Sequence, residues 1–232
     1  MRIRSKLKGL FFLLRLEYIV PSKIFLFLSH LAYLSKWINT HKDCPNDFYS
    51  YKFDYKKREK IYEHIVSNLS HLDIDYLEFG VAKGDSLRWW INRLPEESAR
   101  LYGFDTFSGI PEKFGKFKIG DMNGNGLIID DSRCKFIKGL FQDTLIPFLK
   151  NYDDSRRKII HMDADLYSST LFVLTTLTPY LHKWDIIIFD EFNVPLHEFK
   201  AFKDWTDSFY IKYKVICGAN NFHQIAIRLN NK

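Results

Sequence analysis

Short apolar runs and stretches of helical periodicity alternate along most of this chain. Five runs have the length of buried strands and are bounded by polar or turn residues: Tyr76–Phe79, Ala99–Phe104, Lys135–Lys138, Lys158–Met162 and Asp185–Phe189. Apolar residues at helical spacing predict helices over five further segments: Arg58–Leu69, Ser86–Arg93, Phe141–Leu149, Tyr167–Leu181 and Glu198–Phe209. This alternation indicates an α/β fold with a doubly wound, mostly parallel sheet.

Two apolar stretches near the C-terminus, Lys214–Cys217 and His223–Leu229, predict an antiparallel hairpin that completes a seven-stranded, Rossmann-like sheet. The chain before the first strand lacks this alternation. We therefore expect a helical and aromatic extension over residues 1–70 and a catalytic domain over residues 71–232. A single α/β core accounts for a domain of that length.

The first 38 residues combine basic and apolar side chains. The run Gly9–Leu14 follows a basic stretch as in a signal peptide, but Arg15 and Glu17 interrupt it and no small-residue cleavage site follows. A second run, Ile24–Leu34, is too short to span a bilayer. We expect a helical pair that packs on the domain or on a dimer mate. Peripheral contact with an anionic membrane surface and a removed signal are the alternatives.

The composition restricts the partners and the compartment. A net charge of +6 suits an anionic partner. However, no stretch interleaves aromatic and basic residues as RNA-binding sheets do, so we expect no nucleic acid partner. Cys44, Cys134 and Cys217 are odd in number and lack paired metal-type spacing. They predict free thiols in a reducing, cytoplasmic compartment.

The turn after the first strand predicts a ligand cradle. Glu78 ends the strand, Gly80 and Gly84 form the turn, and Ser86 opens a helix. In open parallel sheets, backbone N–H groups and a helix N-terminus at this edge bind nucleotide-like ligands. The three-glycine dinucleotide fingerprint is missing, which weakens the alternative of an NAD-type or nucleotide-sugar enzyme.

A carboxylate follows the second strand. Asp105 lies where a side chain can accept two hydrogen bonds from a ribose diol. The alternative is an aspartate that caps a helix or closes a turn.

Further carboxylates follow the fourth and fifth predicted strands. Because parallel strands end at one edge, Asp163, Asp190 and Glu191 should meet there, where their mutual repulsion favours a bound cation. Oxygen ligands suit Mg²⁺ first, with Mn²⁺ or Ca²⁺ as alternatives. In the metal-free alternative, Asp163 and Asp190 cap the following helices and line a pocket. Asp165 is a candidate either for the cap of helix Tyr167–Leu181 or for a catalytic base.

The segment Gly109–Asp131 contains five glycines and no periodicity, which is typical of a long functional loop. Its stretch Asp121–Gly126 copies the opening of an EF-hand calcium loop. The position that needs a bidentate glutamate holds Ser132, and flanking helices are missing. We therefore interpret the segment as an active-site flap.

Three histidines are candidate bases: His161, His197 and His223. His197 is favoured because it lies on the loop that follows the predicted metal carboxylates.

Five blocks of the chain, in order, resemble those of the macrocin O-methyltransferase family: Leu77–Ser86, Gly103–Glu112, Gly139–Leu145, Met162–Thr170 and Phe189–Phe192. The resemblance extends from Leu72 to Leu229. Members of this family are class I enzymes that use S-adenosylmethionine to methylate sugar hydroxyls of macrolides. The resemblance implies a methyltransferase domain in which Glu78, Gly80 and Gly84 line the methionine end of the cofactor.

The resemblance further implies that Asp105 holds the ribose and that residues 139–142 lie near the adenine. The cofactor-binding residues expected in all are Glu78, Gly80, Gly84, Ser86, Asp105, Thr106, Phe141, Gln142 and Asp163. The expected metal ligands are Asp163, Asp190 and Glu191, and the expected catalytic residues are Asp163, Asp165 and His197.

Two departures from the family pattern limit the inference. The family usually has a second aspartate where this chain has Glu191. Its macrolide enzymes use a histidine between the second and third strands, and Gly109–Asp131 contains none. We therefore expect a Mg²⁺-assisted O-methyltransferase that acts on a sugar hydroxyl of a glycan, glycolipid or glycosylated metabolite. A non-catalytic scaffold of the same fold is the alternative outside enzymology, and a homo-oligomer is compatible with the sequence.

Overall fold

The computed structural model describes residues 2–69, 73–94 and 99–231. The predicted domain boundary between residues 70 and 71 lies outside them. The helices are α1 Arg2–Leu13, α2 Ser22–His41, α3 Arg58–Ser67, α4 Asp85–Arg93, α5 Phe141–Leu149, α6 Tyr167–Leu177 and α7 Glu198–Phe209. The strands are β1 Ile74–Phe79, β2 Ala99–Asp105, β3 Cys134–Lys138, β4 Arg157–Met162, β5 Ile186–Phe189, β6 Lys212–Ala219 and β7 Gln224–Asn231.

The strands form one seven-stranded sheet in the order β3-β2-β1-β4-β5-β7-β6. Strands β1 to β5 pair in parallel, whereas β7 runs antiparallel to both β5 and β6. The predicted sheet and its C-terminal hairpin are therefore confirmed. The order reverses between β1 and β4, which is the place where ligands bind in doubly wound sheets.

Two apolar layers cover the sheet. Alternate strand residues such as Phe79, Phe104 and Met162 face the layer of α5, α6 and α7. The intervening residues, such as Tyr76 and Leu101, face α3 and α4. Strands β1 and β5 are buried along their whole length, as expected for parallel strands that are covered on both faces, whereas β3 at the sheet edge is only partly buried.

Some predicted bounds differ from the structure. The helix predicted over Tyr167–Leu181 ends at Leu177 and continues as a 3-10 turn, Thr178–Tyr180. Pro179 lies in that turn and cannot donate the hydrogen bond of a further α-helical residue. Strand β1 begins earlier than predicted and contains Asp75, which is fully buried. A polar residue is tolerated there because Arg100 and Tyr152 bind its carboxylate.

The N-terminal extension contains the predicted helical pair, α1 and α2. The C-terminal half of α2 packs on the domain, where Leu34 is buried and the Trp37 indole donates to the Tyr213 hydroxyl at 2.9 Å. Helix α3 packs on the opposite face of the sheet through Ile61 and Ile65. Among the described helices, none combines the length and the hydropathy that a bilayer crossing needs.

Candidate active site

The glycine turn brings the ends of β1, β2 and β4 into close contact. Gly80 has a φ of +98°, and its N–H donates to the carbonyl of Phe104 at 2.9 Å. A Cβ at this position would lie 1.8 Å from the carbonyl oxygen of Asp163. Only glycine fits both the dihedral angle and the space.

Asp105 braces this turn. Its carboxylate accepts the N–H groups of Val81 and Ala82, each at 2.8 Å, and that of Phe107 at 2.6 Å. The alternative role as a turn aspartate is therefore observed. A carboxylate has about four lone-pair sites. The Thr106 hydroxyl lies 3.5 Å from Asp105 Oδ1, but its single proton has a closer acceptor in the Gly109 carbonyl at 2.9 Å, so Asp105 has room for one more donor.

Glu78 lies beneath the turn and does not line the cleft described below. It is fully buried, and it accepts hydrogen bonds from the hydroxyls of Ser86 and Tyr76. Burial raises the pKa of Glu78 above its usual range. Gly84, with a φ of +74°, caps α4, and the space above it is filled by Leu127. In this structure Glu78, Gly84 and Ser86 fix the start of α4 beside the turn.

A cleft of about 610 Å³, counting its solvent-open part, lies at the carboxyl ends of β1, β2 and β4. Its lining includes the remaining predicted cofactor residues: Gly80, Asp105, Thr106, Phe141, Gln142 and Asp163. The lining also contains four apolar residues that the sequence did not single out: Ile110, Pro111, Met122 and Leu140. Leu140 and Phe141 follow β3 and form an apolar end, whereas Asp163 and Asp165 follow β4 and form an acidic end, because β3 and β4 lie on opposite sides of β2 and β1 in the sheet.

The loop after β2 folds over this cleft as a flap, and two backbone hydrogen bonds join its two sides. The Ile110 N–H donates to the Asp121 carbonyl at 3.0 Å, and the Gly120 N–H donates to the Ile110 carbonyl at 3.1 Å. Asp121 itself accepts the Lys118 N–H at 2.8 Å, which closes a tight turn. Glu112 anchors the flap to α6 by accepting the Ser168 hydroxyl at 3.0 Å. These contacts agree with the flap interpretation.

Carboxylates gather at the acidic end in two overlapping groups. The ligand atoms of His161, Asp163 and Asp190 lie within 4.8 Å of one another, and so do those of Asp163, Asp165 and Glu191. The three predicted metal ligands are thus divided between the groups, and Asp163 belongs to both. Its side chain is 22% exposed, so Asp163 can contact a ligand in the cleft.

The crowding separates the pKa values of these groups. Burial and the charge of Asp190 raise the pKa of Asp163 well above its usual range and that of Asp165 to about 7. The same two causes raise the pKa of Glu191. Burial acts in the same direction on Asp190, but contacts from His161 and other groups outweigh it and lower the Asp190 pKa. Asp190 is therefore the first of these carboxyl groups to lose its proton as the pH rises, as in other carboxylate pairs that share one site.

Two residues of the N-terminal extension reach into this cluster. The Tyr55 hydroxyl donates to Asp190 Oδ2 and accepts from the Arg58 guanidinium at 2.7 Å. The guanidinium Nη1 lies 3.7 Å from Asp190 and 3.9 Å from Asp163. No local sequence pattern identifies these residues, because only the packing of α3 on the sheet brings them to the strand ends.

The cluster has the donors that a hard divalent cation needs. Asp190 Oδ1 and Glu191 Oε2 are buried, and neither has a hydrogen-bond partner in the described structure. Such atoms are costly unless a cation or a proton satisfies them. Oxygen donors of this kind fit Mg²⁺, while Arg58 supplies some positive charge at distances longer than a hydrogen bond.

The predicted helix caps are not observed. Helix α6 begins after Leu166 and α7 after His197, and neither helix has a side-chain cap. The interpretation of Asp165 as an N-cap is therefore wrong. Asp165 instead has a φ of +56° and lines the cleft, because the turn that leads into α6 directs its side chain back toward the strand ends.

The histidines lie outside the cleft lining. His197 packs edge-on against Phe114 of the flap, with ring centroids 5.0 Å apart, and burial lowers its pKa. His161 is fully buried and bonds to the Tyr76 hydroxyl at 2.9 Å. His223 bonds to the Asn193 amide oxygen at 2.8 Å. Asp165 is thus better placed than any of the three to contact a substrate in the cleft.

The methyltransferase domain family matches residues 77–192, which is half of the 232-residue chain. The matched span contains the glycine turn, Asp105, the flap and the strand-end carboxylates from Asp163 to Glu191. No curated protein has significant sequence similarity to the chain.

Solved methyltransferase structures share this architecture. The calicheamicin methyltransferase CalS11 has a TM-score of 0.58 at 18% identity, covering 90% of this chain and 93% of its own. An apo structure of CalS11, a TDP-rhamnose 3'-O-methyltransferase, scores 0.52 at 18% identity, with 87% and 93% covered. The O-methyltransferase NovP scores 0.53 at 18% identity, with 77% and 79% covered. At these identities the likeness establishes the fold.

Proposed function

This chain belongs to the methyltransferase domain family, and on that premise we propose that it transfers the methyl group of S-adenosylmethionine to a sugar hydroxyl. The observation that carries the proposal is the cleft at the ends of β1, β2 and β4. One end is apolar, which suits an adenine ring, and the other is acidic, which suits a sulfonium cation beside a hydroxyl acceptor.

The two ends of the cleft set the orientation of the cofactor. Asp105 lines the cleft and has room to accept one hydrogen bond from a ribose hydroxyl. Leu140 and Phe141 flank the apolar end. Gly80 also lines the cleft, and it lets β1 end directly against Asp163, because a Cβ there would lie 1.8 Å from the Asp163 carbonyl oxygen.

The reaction is an in-line displacement. The acceptor oxygen forms a bond to the methyl carbon, the carbon–sulfur bond breaks, and its electron pair remains on sulfur as S-adenosylhomocysteine forms. The acceptor proton passes to Asp165, whose pKa of about 7 suits a general base at neutral pH. Asp163 orients the hydroxyl beside it. A Mg²⁺ ion held by Asp163, Asp190 and Glu191 would lower the pKa of that hydroxyl.

The proposed acceptor is a sugar of a glycan, a glycolipid or a glycosylated metabolite. The five sequence blocks that resemble the macrocin O-methyltransferases support this class. CalS11, a TDP-rhamnose methyltransferase of the same fold, adds support. The acidic end of the cleft also suits the hydroxyl groups of a sugar, which donate hydrogen bonds to carboxylates.

Calorimetry with S-adenosylmethionine tests the cofactor part of the proposal. We expect saturable one-to-one binding, because the Asp105 carboxylate and the Gly80 turn are already ordered. S-adenosylhomocysteine is expected to compete for the same site, and NAD serves as the control ligand. No binding of S-adenosylmethionine at millimolar concentration would support the scaffold alternative, and binding of NAD would support the dinucleotide enzyme.

Thermal unfolding with and without Mg²⁺ tests the metal. At pH 8 we expect millimolar Mg²⁺ to raise the Tm and EDTA to reverse the rise, because the ion offsets repulsion among carboxylates whose pKa values are raised. Asp163→Asn should lose the response, whereas Asp85→Asn, at a side chain that is 76% exposed, should keep it. An unchanged Tm together with turnover in EDTA would contradict the proposed metal site, and the proposal of methyl transfer would remain.

A further inference from the structure

Exposed apolar side chains cover the two N-terminal helices. We use the name hairpin for residues 4–33, which comprise α1 from Arg4 onward, the turn after it and most of α2. Its large exposed apolar side chains are Leu7, Leu10, Phe12, Leu13, Leu14, Tyr18, Ile19, Ile24, Phe25, Leu26, Phe27, Leu28, Leu31 and Tyr33. Four of them, at the tip of the hairpin, are 70–78% exposed: Phe12, Leu13, Tyr18 and Ile19. A contiguous apolar surface of this kind marks a binding face.

The surface surrounds α2 and is not confined to one stripe. Ile24 to Leu28 are consecutive residues, and each is 42–58% exposed. Successive helical residues point about 100° apart, so these five side chains point in all directions around the helix axis. A helix that docks in a protein groove presents one stripe. A helix exposed and apolar all round fits a lipid environment.

The positive charge of the hairpin indicates that it binds anionic lipids. Its basic residues are Arg4, Lys6, Lys8, Arg15 and Lys23, whereas Glu17 is its one acidic residue. Glu17 is already paired with Arg15 at 3.4 Å. The remaining cations flank the apolar side chains, as in segments that bind anionic membrane surfaces. A second copy of the chain would bring the same positive charges into contact, which disfavours a dimer through this face.

We propose that the hairpin anchors the protein to the surface of an anionic membrane. The exposed apolar part of α2, residues 24–33, is about 15 Å long at 1.5 Å per residue, roughly half of the hydrocarbon thickness. The hairpin therefore enters one leaflet without crossing it. Because Leu34 and Trp37 continue the same helix into the domain core, the anchor holds the domain at the membrane surface.

Vesicle co-sedimentation of the full chain tests the anchor. We expect at least about tenfold tighter binding to phosphatidylcholine vesicles that contain phosphatidylglycerol than to phosphatidylcholine alone, since each basic residue near an anionic surface adds about 1 kcal/mol. The triple variant Arg4→Gln/Lys6→Gln/Lys8→Gln should lose most of this preference. The double variant Phe25→Ser/Leu28→Ser should weaken binding to both kinds of vesicle.

Matched controls separate the hairpin from general surface properties. Lys135→Gln/Lys212→Gln/Lys214→Gln removes three exposed charges elsewhere, and Ile119→Ser/Ile128→Ser removes two exposed aliphatic side chains. Both controls should bind vesicles like the wild type, and circular dichroism and Tm should show all variants folded. Equal binding to the two vesicle types, or no binding, would overturn the proposal. A dimer in light scattering that Phe25→Ser/Leu28→Ser dissociates, with no vesicle binding, would assign the face to a second copy.

Discussion

Gly80→Ala is expected to abolish S-adenosylmethionine binding in calorimetry and to lower the Tm. A Cβ at residue 80 would lie 1.8 Å from the Asp163 carbonyl oxygen, so the ends of β1 and β4 must separate. The φ of +98° adds strain for any residue other than glycine. The displaced strand ends carry Asp163 and the hydrogen bonds from the turn to Asp105. Both walls of the cleft therefore move.

Gly115→Ala is the matched control. Gly115 also has a positive φ, +54°, but nothing lies within 4 Å of a Cβ built there. This variant has the dihedral strain without the collision, so it should lose about 1 kcal/mol of stability and retain cofactor binding. Wild-type affinity in Gly80→Ala would contradict the position assigned to the cofactor. An equal loss in both variants would show that strain alone is the cause.

Asp165→Asn is expected to lower kcat by about 10²–10⁴-fold, the usual contribution of a general base. The substitution keeps the size of the side chain, and asparagine tolerates the φ of +56°. Binding of S-adenosylmethionine should persist, because the Gly80 turn and Asp105 are unchanged. The wild-type rate should rise as the pH passes through about 7, where the Asp165 carboxyl loses its proton, and the residual rate of the variant should lack this rise.

The same variant should change the pH dependence of stability in a defined direction. The folded chain raises the pKa of Asp165 from 3.8 to about 7. The folded state thus favours the protonated form, and stability falls as the pH rises between these two values. Asp165→Asn removes this loss, so the variant should gain stability relative to the wild type from pH 5 to pH 8. Asp85→Asn, at an exposed aspartate, should show neither effect. Wild-type turnover in Asp165→Asn would exclude Asp165 as the base.

The local part of the site follows from sequence, because glycine and strand-end positions carry their own signals. Gly80 and Asp105 are predictable since a parallel sheet places all strand ends at one edge. The position of Glu78 follows from the alternation of side chains between the two faces of a strand. Tyr76 and Glu78 share the face toward α3 and α4, and Glu78 is therefore buried beneath the turn.

Residues brought in by tertiary packing could not be predicted in this way. Tyr55 lies just before α3 and Arg58 begins it, and both reach the carboxylates only because Ile61 and Ile65 dock that helix on the sheet. The flap residues that line the cleft have a similar origin, since the flap has no periodicity and its fold depends on the backbone hydrogen bond between Ile110 and Asp121. The expectation of His197 as base rested on chain position alone.

Methyl transfer to a sugar is the central claim, and a ¹³C-methyl assay tests it most directly. The wild-type chain is incubated with S-adenosylmethionine that carries ¹³C in its methyl group, with a panel of nucleotide sugars and glycans, with and without Mg²⁺. We predict a new O-methyl carbon resonance on a sugar, one methylene of added product mass, and near-complete loss of both signals in Gly80→Ala. Label found on nitrogen or carbon, or only on the protein, would contradict it. So would the absence of transfer to every acceptor from a chain shown to bind S-adenosylmethionine.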